Sequence, residues 1–532
     1  MWLLDVLYDM FRVHCLENMQ AYGGFGLGDT AARMSTPLGK LVRSLHTQVP
    51  RNFRLAYQGN VRQTLSEVSS GGVMRSGSGC TGTNIAHHAW QSLLDFWDET
   101  FNTGVNFISD EVAAEIDEAK QSFLQAQFAI NCLVADVAEL ENPKVRDARG
   151  GPVRSLPESR VFGGGFSCAS VCNQNNNRHE NVGCVRDVQG TTGQTFHSIA
   201  VYIHKMRPRV SFLENVVTLN AKYEFDSLST SDVEYILEWF TSRNFTIVHV
   251  EVSARERGAK KELIRLWFVI WDIPPFAAEI LDVQANFWSV MNSLRRSGEE
   301  DPPVESYFVE EDVLRALVEH LPQGLDAPPA KRTQQSYKWK GTHEMLFSEA
   351  RLDWPPDISH LGSFREREGE LVVLADFLFP AQQEGWDFFD SNHSAERTFR
   401  TTATERDARA NPWRRHVTTL TGQSSMCCRY TSAKGTEVLR RLHPIEGFRF
   451  NLWDAPHWRV GPYTGNGVDT EVLNDMVGNS WSLHHVVPLT MAAFGAVDWR
   501  KIPQLIRSAK EKHVEDTLAV AVASSSADSE SD

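Results

Sequence analysis

The stretch Gly163-Gly-Gly-Phe-Ser-Cys-Ala-Ser-Val-Cys172 sets Cys168 shortly behind three glycines that follow a short apolar run, Val161-Phe162. A thiol on a tight loop at a strand end has the exposure and the backbone dipoles that lower its pKa and suit it to nucleophilic attack. Two other readings share the stretch. An isolated cysteine also serves as a small core residue. Cys168, Cys172, His179 and Cys184 also run C-x3-C-x6-H-x4-C, a looser spacing than zinc knuckles use but one that zinc tolerates. Further on, Glu214-Asn215-Val216 ends the strand-like Val210-Ser-Phe-Leu213. A carboxylate there is placed for proton chemistry or for hydrogen bonding to a base edge.

Earlier in the chain, Ser76-Gly-Ser-Gly-Cys-Thr-Gly-Thr-Asn84 precedes a helix-like segment, Ile85–Phe96. Small residues before a helix let a ligand approach backbone N–H groups, although plain turns look the same. No Lys or Arg follows the last glycine, so this is not a phosphate loop of the Gly-Lys-Ser/Thr kind. Glu115 comes soon after the strand-like Val105–Ile108, and an acid that far beyond a glycine-rich turn can accept hydrogen bonds from a ribose. Asp136 follows Ile130–Ala135, again at a carboxyl end. Singly, each acid reads as an ordinary solvated side chain; on successive strands they form a row.

Elements must hold these residues in place. From Gly71 to Ile273, short apolar runs alternate with helical stretches, the signature of an open α/β sheet. Strands are predicted at Val105–Ile108, Phe128–Val134, Val161–Phe162, Val210–Leu213, Phe245–Val252 and Leu266–Trp271, with helix-like segments at Ala113–Gln127 and Phe196–Met206. Residues 1–70 read as an N-terminal extension without chemistry, and 71–300 as the core. The acidic, proline-containing joint Glu299–Pro303 then opens an irregular lobe, 301–455. A segment at 456–510 returns to α/β character, and 511–532 reads as a disordered acidic tail.

The bulk numbers bound the possibilities. The 532 residues carry a formal net charge of −15, which argues against coating nucleic acid by global charge. A local basic stretch nonetheless runs from Arg397 to Arg441, through Arg400, Arg406, Arg409, Arg414, Arg415, Arg429, Lys434 and Arg440. That is the composition of a phosphate-contacting surface and also of a solvated arginine-rich face. Eight unevenly spaced cysteines do not make a disulfide framework, and neither a signal peptide nor an uncharged bilayer-length run is found. The expectation is a reducing, intracellular compartment, the nucleus if the host is a eukaryote, with no membrane partner.

In this order the pieces resemble the cytosine-C5 methyltransferase family. The resemblance rests on Phe166-Ser167-Cys168, Gly193-Gln-Thr-Phe196, Pro208 through Glu214-Asn215-Val216, Ser253-Ala-Arg-Glu-Arg-Gly258, Arg265 and Gly478-Asn-Ser-Trp-Ser482, and spans roughly residues 73–495. It implies a Rossmann-like domain that binds S-adenosyl-L-methionine, with an irregular, smaller target-recognition lobe. It implies Cys168 as the nucleophile at C6 of cytosine, Glu214 at N3 and Arg265 at the base carbonyl or a phosphate. Ser78, Gly79, Cys80, Thr81, Gly82 and Thr83 would line the methionine end of the cofactor. Glu115 would hold the ribose, with Glu111 as the competing acid, and Asp136 the adenine amino group; Asn479 and Trp481 would close over the cofactor. The implied substrate is DNA, with RNA the alternative within the family and a catalytically silent nucleic-acid-binding module the alternative outside catalysis. The chain departs from the family pattern at Ser167 (usually Pro), Cys80 (usually aromatic), Lys260-Lys261 (usually Pro-Gln) and Leu263 (usually Arg).

Overall fold

Seven strands between Val73 and Trp271 form one sheet: β1 (Val73–Gly79), which the sequence reading leaves as part of a loop because it is rich in serine and glycine, β2 (Phe107–Ala114), β3 (Cys132–Val134), β4 (Val161–Gly165), β5 (Val210–Asn215), β6 (Thr246–Ser253) and β7 (Ile264–Trp271). Their spatial order is β3-β2-β1-β4-β5-β7-β6. Strands β1 to β5 run parallel, whereas β7 is antiparallel to both β5 and β6. The sheet is Rossmann-like, as the alternating pattern predicts. This computed structural model describes residues 34–172, 175, 181, 183–221, 231–259, 263–295, 307, 365–367, 370–372, 399–401, 426–431, 437–441, 444–452 and 470–527.

Side chains alternate between the two faces, and both faces are covered. Trp267, Val269 and Trp271 of β7 join one core with Val210 and Phe212 of β5. Leu266, Phe268 and Ile270 join the other with Leu213. The first face is covered by α1 (Pro37–Thr47), α2 (Arg54–Val68), α3 (Ile85–Phe101), α8 (Val283–Ser293) and α11 (Leu483–Gly495); the second by α5 (Thr191–Met206) and α6 (Asp232–Thr241). The remaining helices are α4 (Glu118–Gln127), α7 (Pro275–Ile280), α9 (Pro444–Phe450), α10 (Thr470–Asn479) and α12 (Ile502–Ala527).

Helix α11 is buried along its whole length. A helix end inside protein needs partners for its last carbonyls, and α2 supplies them. Thr64 Oγ1 donates to Phe494 O at 2.9 Å and Asn60 Nδ2 to Gly495 O at 2.9 Å. The indoles of Trp90 and Trp271 donate to Thr490 Oγ1 and Ala493 O, each at 3.2 Å.

The topology sets where a site can be. β2 lies on one side of β1 and β4 on the other, so the crevice outside the carboxyl ends of β1 and β4 is the switch point at which ligands of open α/β sheets bind. Because β7 runs backwards, its first residues reach the same edge.

Several boundaries differ from the sequence reading. The second strand is Phe107–Ala114, beyond the predicted Val105–Ile108, because Asp110 and Glu111 sit within it. Their charges are met by His87, Ser76 and Asn84 for Asp110 and by Arg75 for Glu111, a compensation invisible to an apolar-run pattern. Ala113-Ala114 belong to that strand, and the helix that follows begins at Glu118, capped by Asp117. The third strand keeps only Cys132–Val134, since the Phe128 N–H still closes α4 on Leu124 O. Residues 34–70 are part of the core rather than an extension, and α9 packs Phe448 and Phe450 into it, ahead of the expected lobe boundary at 455. The tail expected to be disordered from 511 is helical to Ala527.

Within the lobe, Phe399–Thr401, Met426–Thr431 and Glu437–Arg441 form a three-stranded antiparallel sheet that carries Arg400, Arg429 and Arg440. Among the described residues, no helix is long and apolar enough to cross a membrane.

The contact between α11 and α2 leaves no space for a methyl group. A Cβ on Gly495 would stand 2.3 Å from Cδ2 of the buried Tyr57. Gly495→Ala is expected to destabilise the fold by about 1–3 kcal/mol, read as a lower Tm in thermal denaturation. An unchanged Tm would refute this packing.

Candidate active site

Cys168 stands three residues beyond β4, on a loop held from two sides. From β5, the buried Asn215 donates through Nδ2 to Phe166 O at 3.0 Å, so the residue after Glu214 clamps the Cys168 loop. From α5, Thr195 Oγ1 accepts the Ser167 N–H at 2.9 Å, and Thr192 Oγ1 donates to Ser170 Oγ at 2.9 Å. A proline at 167 has no N–H for that bond, so the departure from the family pattern gains an anchor. Gly193 lies under the preceding loop so closely that a Cβ would fall 2.0 Å from Asp187 O. The Cys168 carbonyl accepts from the N–H groups of Val171 and Cys172, turning the chain back after the thiol.

The strand register brings Glu214 opposite Gly165 on β4 and opposite Trp267 on β7. Two residues back along β7, Arg265 lies on the face shared by Trp267 and Glu214. Arg265 Nε meets Glu214 Oε1 at 2.8 Å, and Trp481 Nε1 donates to Glu214 Oε2 at 3.2 Å. Burial pushes the Glu214 carboxyl up, while Arg265 and the indole N–H pull it back. The Cys168 thiol is pushed up to about 11, by burial first and then by the Glu214 carboxylate, with Arg265 opposing. At rest it is therefore a neutral thiol beside an ion pair, and attack requires its proton to leave.

The other half of the edge gathers the predicted cofactor residues. The loop after β1 coils through Cys80, Gly82 and Asn84, all at positive φ. Thr81 N–H donates to Ala114 O at 2.9 Å and Gly82 N–H to Glu115 Oε2 at 2.7 Å; Ser78 and Thr81 join their hydroxyls at 2.9 Å. Two of the N–H groups expected to face a ligand thus hold the loop to the end of β2. Asp136 caps the turn after β3 at Ala138 N. The Cys80 thiol is pushed up to about 12 by burial and by Glu115 and Asp136, which places both carboxylates around it. Thr83 is buried beneath. Glu111 faces elsewhere, bonded to Arg75 and Asn131, so of the two competing acids Glu115 is the one on the loop.

The C-terminal residues divide. Asn479 is exposed and donates to Asp475 Oδ1 at 2.8 Å; Asp475 in turn pairs with Lys120 of α4 at 2.5 Å. Trp481 instead lies against β4 and Glu214.

Sequence reasoning missed the support under the cofactor loop. Buried Asp110 accepts from Ser76 Oγ at 2.6 Å and Asn84 Nδ2 at 3.2 Å and pairs with His87 Nδ1 at 2.8 Å. No spacing rule links these residues across two strands and a helix. Ile116, next to Glu115, was also passed over; it is an apolar side chain at 72% exposure.

At the position of the absent arginine, buried Leu263 packs with Ala254 and Ala259, and its carbonyl meets His485 Nε2 at 3.2 Å. Lys260, Lys261 and His179, with Arg397, Arg406, Arg409, Arg414, Arg415 and Lys434, lie outside the described residues. Among the described residues, no group of three or more His, Cys, Asp or Glu is arranged to hold a metal ion.

No family model matches the chain. Over 200 residues it is 22% identical to a Cryptococcus neoformans var. grubii protein named DNA (cytosine-5-)-methyltransferase DMT5. The match covers 38% of this chain and only 8% of that relative's length. Among solved structures, it is similar to the Entamoeba histolytica methyltransferase EhMeth (TM-score 0.38, 10% identity, 79% of this chain and 97% of that one). It is also similar to a Spodoptera frugiperda DNMT2 mutant (TM-score 0.36, 10% identity, 79% and 99%). Over those 200 residues, and in the order of its motifs, the chain is similar to cytosine-C5 methyltransferases.

Proposed function

We propose that this protein transfers a methyl group from S-adenosylmethionine to C5 of cytosine in DNA, with Cys168 as the covalent nucleophile. The observation that carries the reading is a thiol, a buried carboxylate and its guanidinium partner held at one edge of a Rossmann-like sheet. The residues fit the cofactor. Glu115 and Asp136 end successive strands beside the loop Ser78–Thr83, and the Glu115 carboxylate, bonded to Gly82 and Asp117 N–H groups, keeps lone pairs for ribose hydroxyls. Asp136 would take the adenine amino group, Ile116 would pack on the ring, and Asn479 belongs to the segment closing that side. When bound, the cofactor supplies an electrophilic methyl group.

The chain's own residues make C5 reactive. The Cys168 thiol loses its proton to water, its sulfur forms a bond to C6, and the π pair of the C5–C6 double bond moves onto C5 and toward N3. Glu214 in its protonated form, which burial favours, donates to N3 and so neutralises the growing negative charge. Arg265 keeps that carboxyl aimed and carries positive charge beside it. After methylation, loss of the C5 proton returns the electrons and expels the thiolate. A duplex base has to leave the stack to reach this edge, at a cost of about a few kcal/mol. The arginine-bearing lobe would offset it through phosphate contacts.

Two measurements test the reading. Incubation with S-adenosylmethionine and DNA containing 5-fluorocytosine should give a stable covalent adduct, because fluorine replaces the proton that must leave. The adduct should vanish in Cys168→Ala. Cofactor binding without adduct on either DNA or RNA would overturn the enzyme reading, and an adduct on RNA alone would reassign the substrate. Separately, Glu214→Gln removes the negative charge that holds the Cys168 thiol up. Alkylation of Cys168 at pH 8 should then be faster, roughly three- to ten-fold, as measured by peptide mass spectrometry. A slower reaction would refute the electrostatic coupling.

A further inference from the structure

Glu214 is held by donors from two distant parts of the chain. Arg265 reaches Oε1 from the neighbouring strand, and the Trp481 indole reaches Oε2 from a segment 267 residues further on. A carboxylate bonded through one oxygen can swing about that bond. Bonded through both, it is fixed in plane, with its outer lone pairs pointing in one direction.

The surroundings are built for this indole. Ideal Cβ atoms on Gly163 and Gly165 would lie 3.0 Å from Trp481 Cη2 and 3.3 Å from Trp481 Nε1, so the bare backbone of β4 is the floor on which the ring rests. Trp267, directly across from Glu214, meets the ring edge-on with centroids 4.7 Å apart. The backbone is fixed on both sides of Trp481. Ser480 Oγ accepts from buried Asn451 Nδ2 at 2.9 Å, and Leu483 N–H donates to Asn451 O at 3.2 Å. The buried α11 begins two residues later.

We propose that Trp481 is a positioning residue for the reaction: its N–H, with Arg265, fixes the Glu214 carboxyl in the orientation from which it meets N3 of the pyrimidine. This rests on the proposed function and replaces the cofactor-closing role that the family resemblance implies for Trp481. The groups facing Glu214 are Arg265 from β7 and the Cys168 thiol from the loop after β4, with Cys172 beside that thiol. A hydrogen bond to a carboxylate favours its ionised form, so loss of the N–H raises the pH at which Glu214 ionises.

Alkylation of Cys168 by iodoacetamide, followed across pH by peptide mass spectrometry on the full chain, reads that ionisation without methyl transfer. Wild type should show an inflection that disappears in Glu214→Gln. In Trp481→Phe it should move up by about one pH unit. Trp267→Phe, which removes a ring that makes no bond to Glu214, should leave it in place. If Trp481→Phe does not fold, the benzothienyl isostere at 481 keeps the bicyclic shape without the N–H and should give the same shift. An unmoved inflection overturns the proposal, and weaker S-adenosylmethionine binding with an unmoved inflection returns Trp481 to the cofactor. Because the readout is alkylation, a chain that forms no adduct with cytosine can still show the shift, which separates failure of the proposed function from failure of this inference.

Discussion

A helix without an exposed side chain can exist only where other elements satisfy its ends and cover every face, and α11 is such a helix. Its carbonyls at Phe494 and Gly495 are taken by Thr64 and Asn60, its Thr490 and Ala493 by tryptophans of α3 and β7. These bonds tie the start of the described chain, the sheet and the C-terminal segment into one body. Helices α7 and α8 stay within that core, and α9 joins it with Phe448 and Phe450.

The same constraint arranges the chemistry. Glu214 would be a poor occupant of a strand end with only burial acting on it, since desolvation favours its neutral form. Arg265 comes to it because β7 runs against its neighbours, and Trp481 because α11 is anchored where it is. The thiol is then set in a field with both signs close by, raised by the carboxylate and lowered by the guanidinium. A thiol held neutral is protected from stray electrophiles and oxidants, which react with thiolates.

Much of this was legible in the residues. Strong period-two and apolar runs gave β4 to β7 to within a few residues, although the glycines read as a loop before Cys168 complete β4, and the loop begins after them. The order of Cys168, Glu214 and Trp481 was readable as well. What escaped was compensation between distant groups. Asp110 and Glu111 hid β2 because acids in a strand look like a loop until His87 and Arg75 are seen to meet them. Asn215 was visible as part of a motif, but its task of holding Phe166 depends on the neighbouring strand. Residues 34–70 read as an extension because their partners lie more than 400 positions away.

That distance has a consequence for biosynthesis. Roughly 200 residues separate the end of β7 from α11, and at about 5–20 residues per second their synthesis takes on the order of ten seconds or more. Throughout that interval the sheet is complete, yet the face that α11 will cover, with the indoles of Trp90 and Trp271, is open. Until α11 emerges, the nascent chain therefore carries an apolar surface that in the folded protein this helix covers.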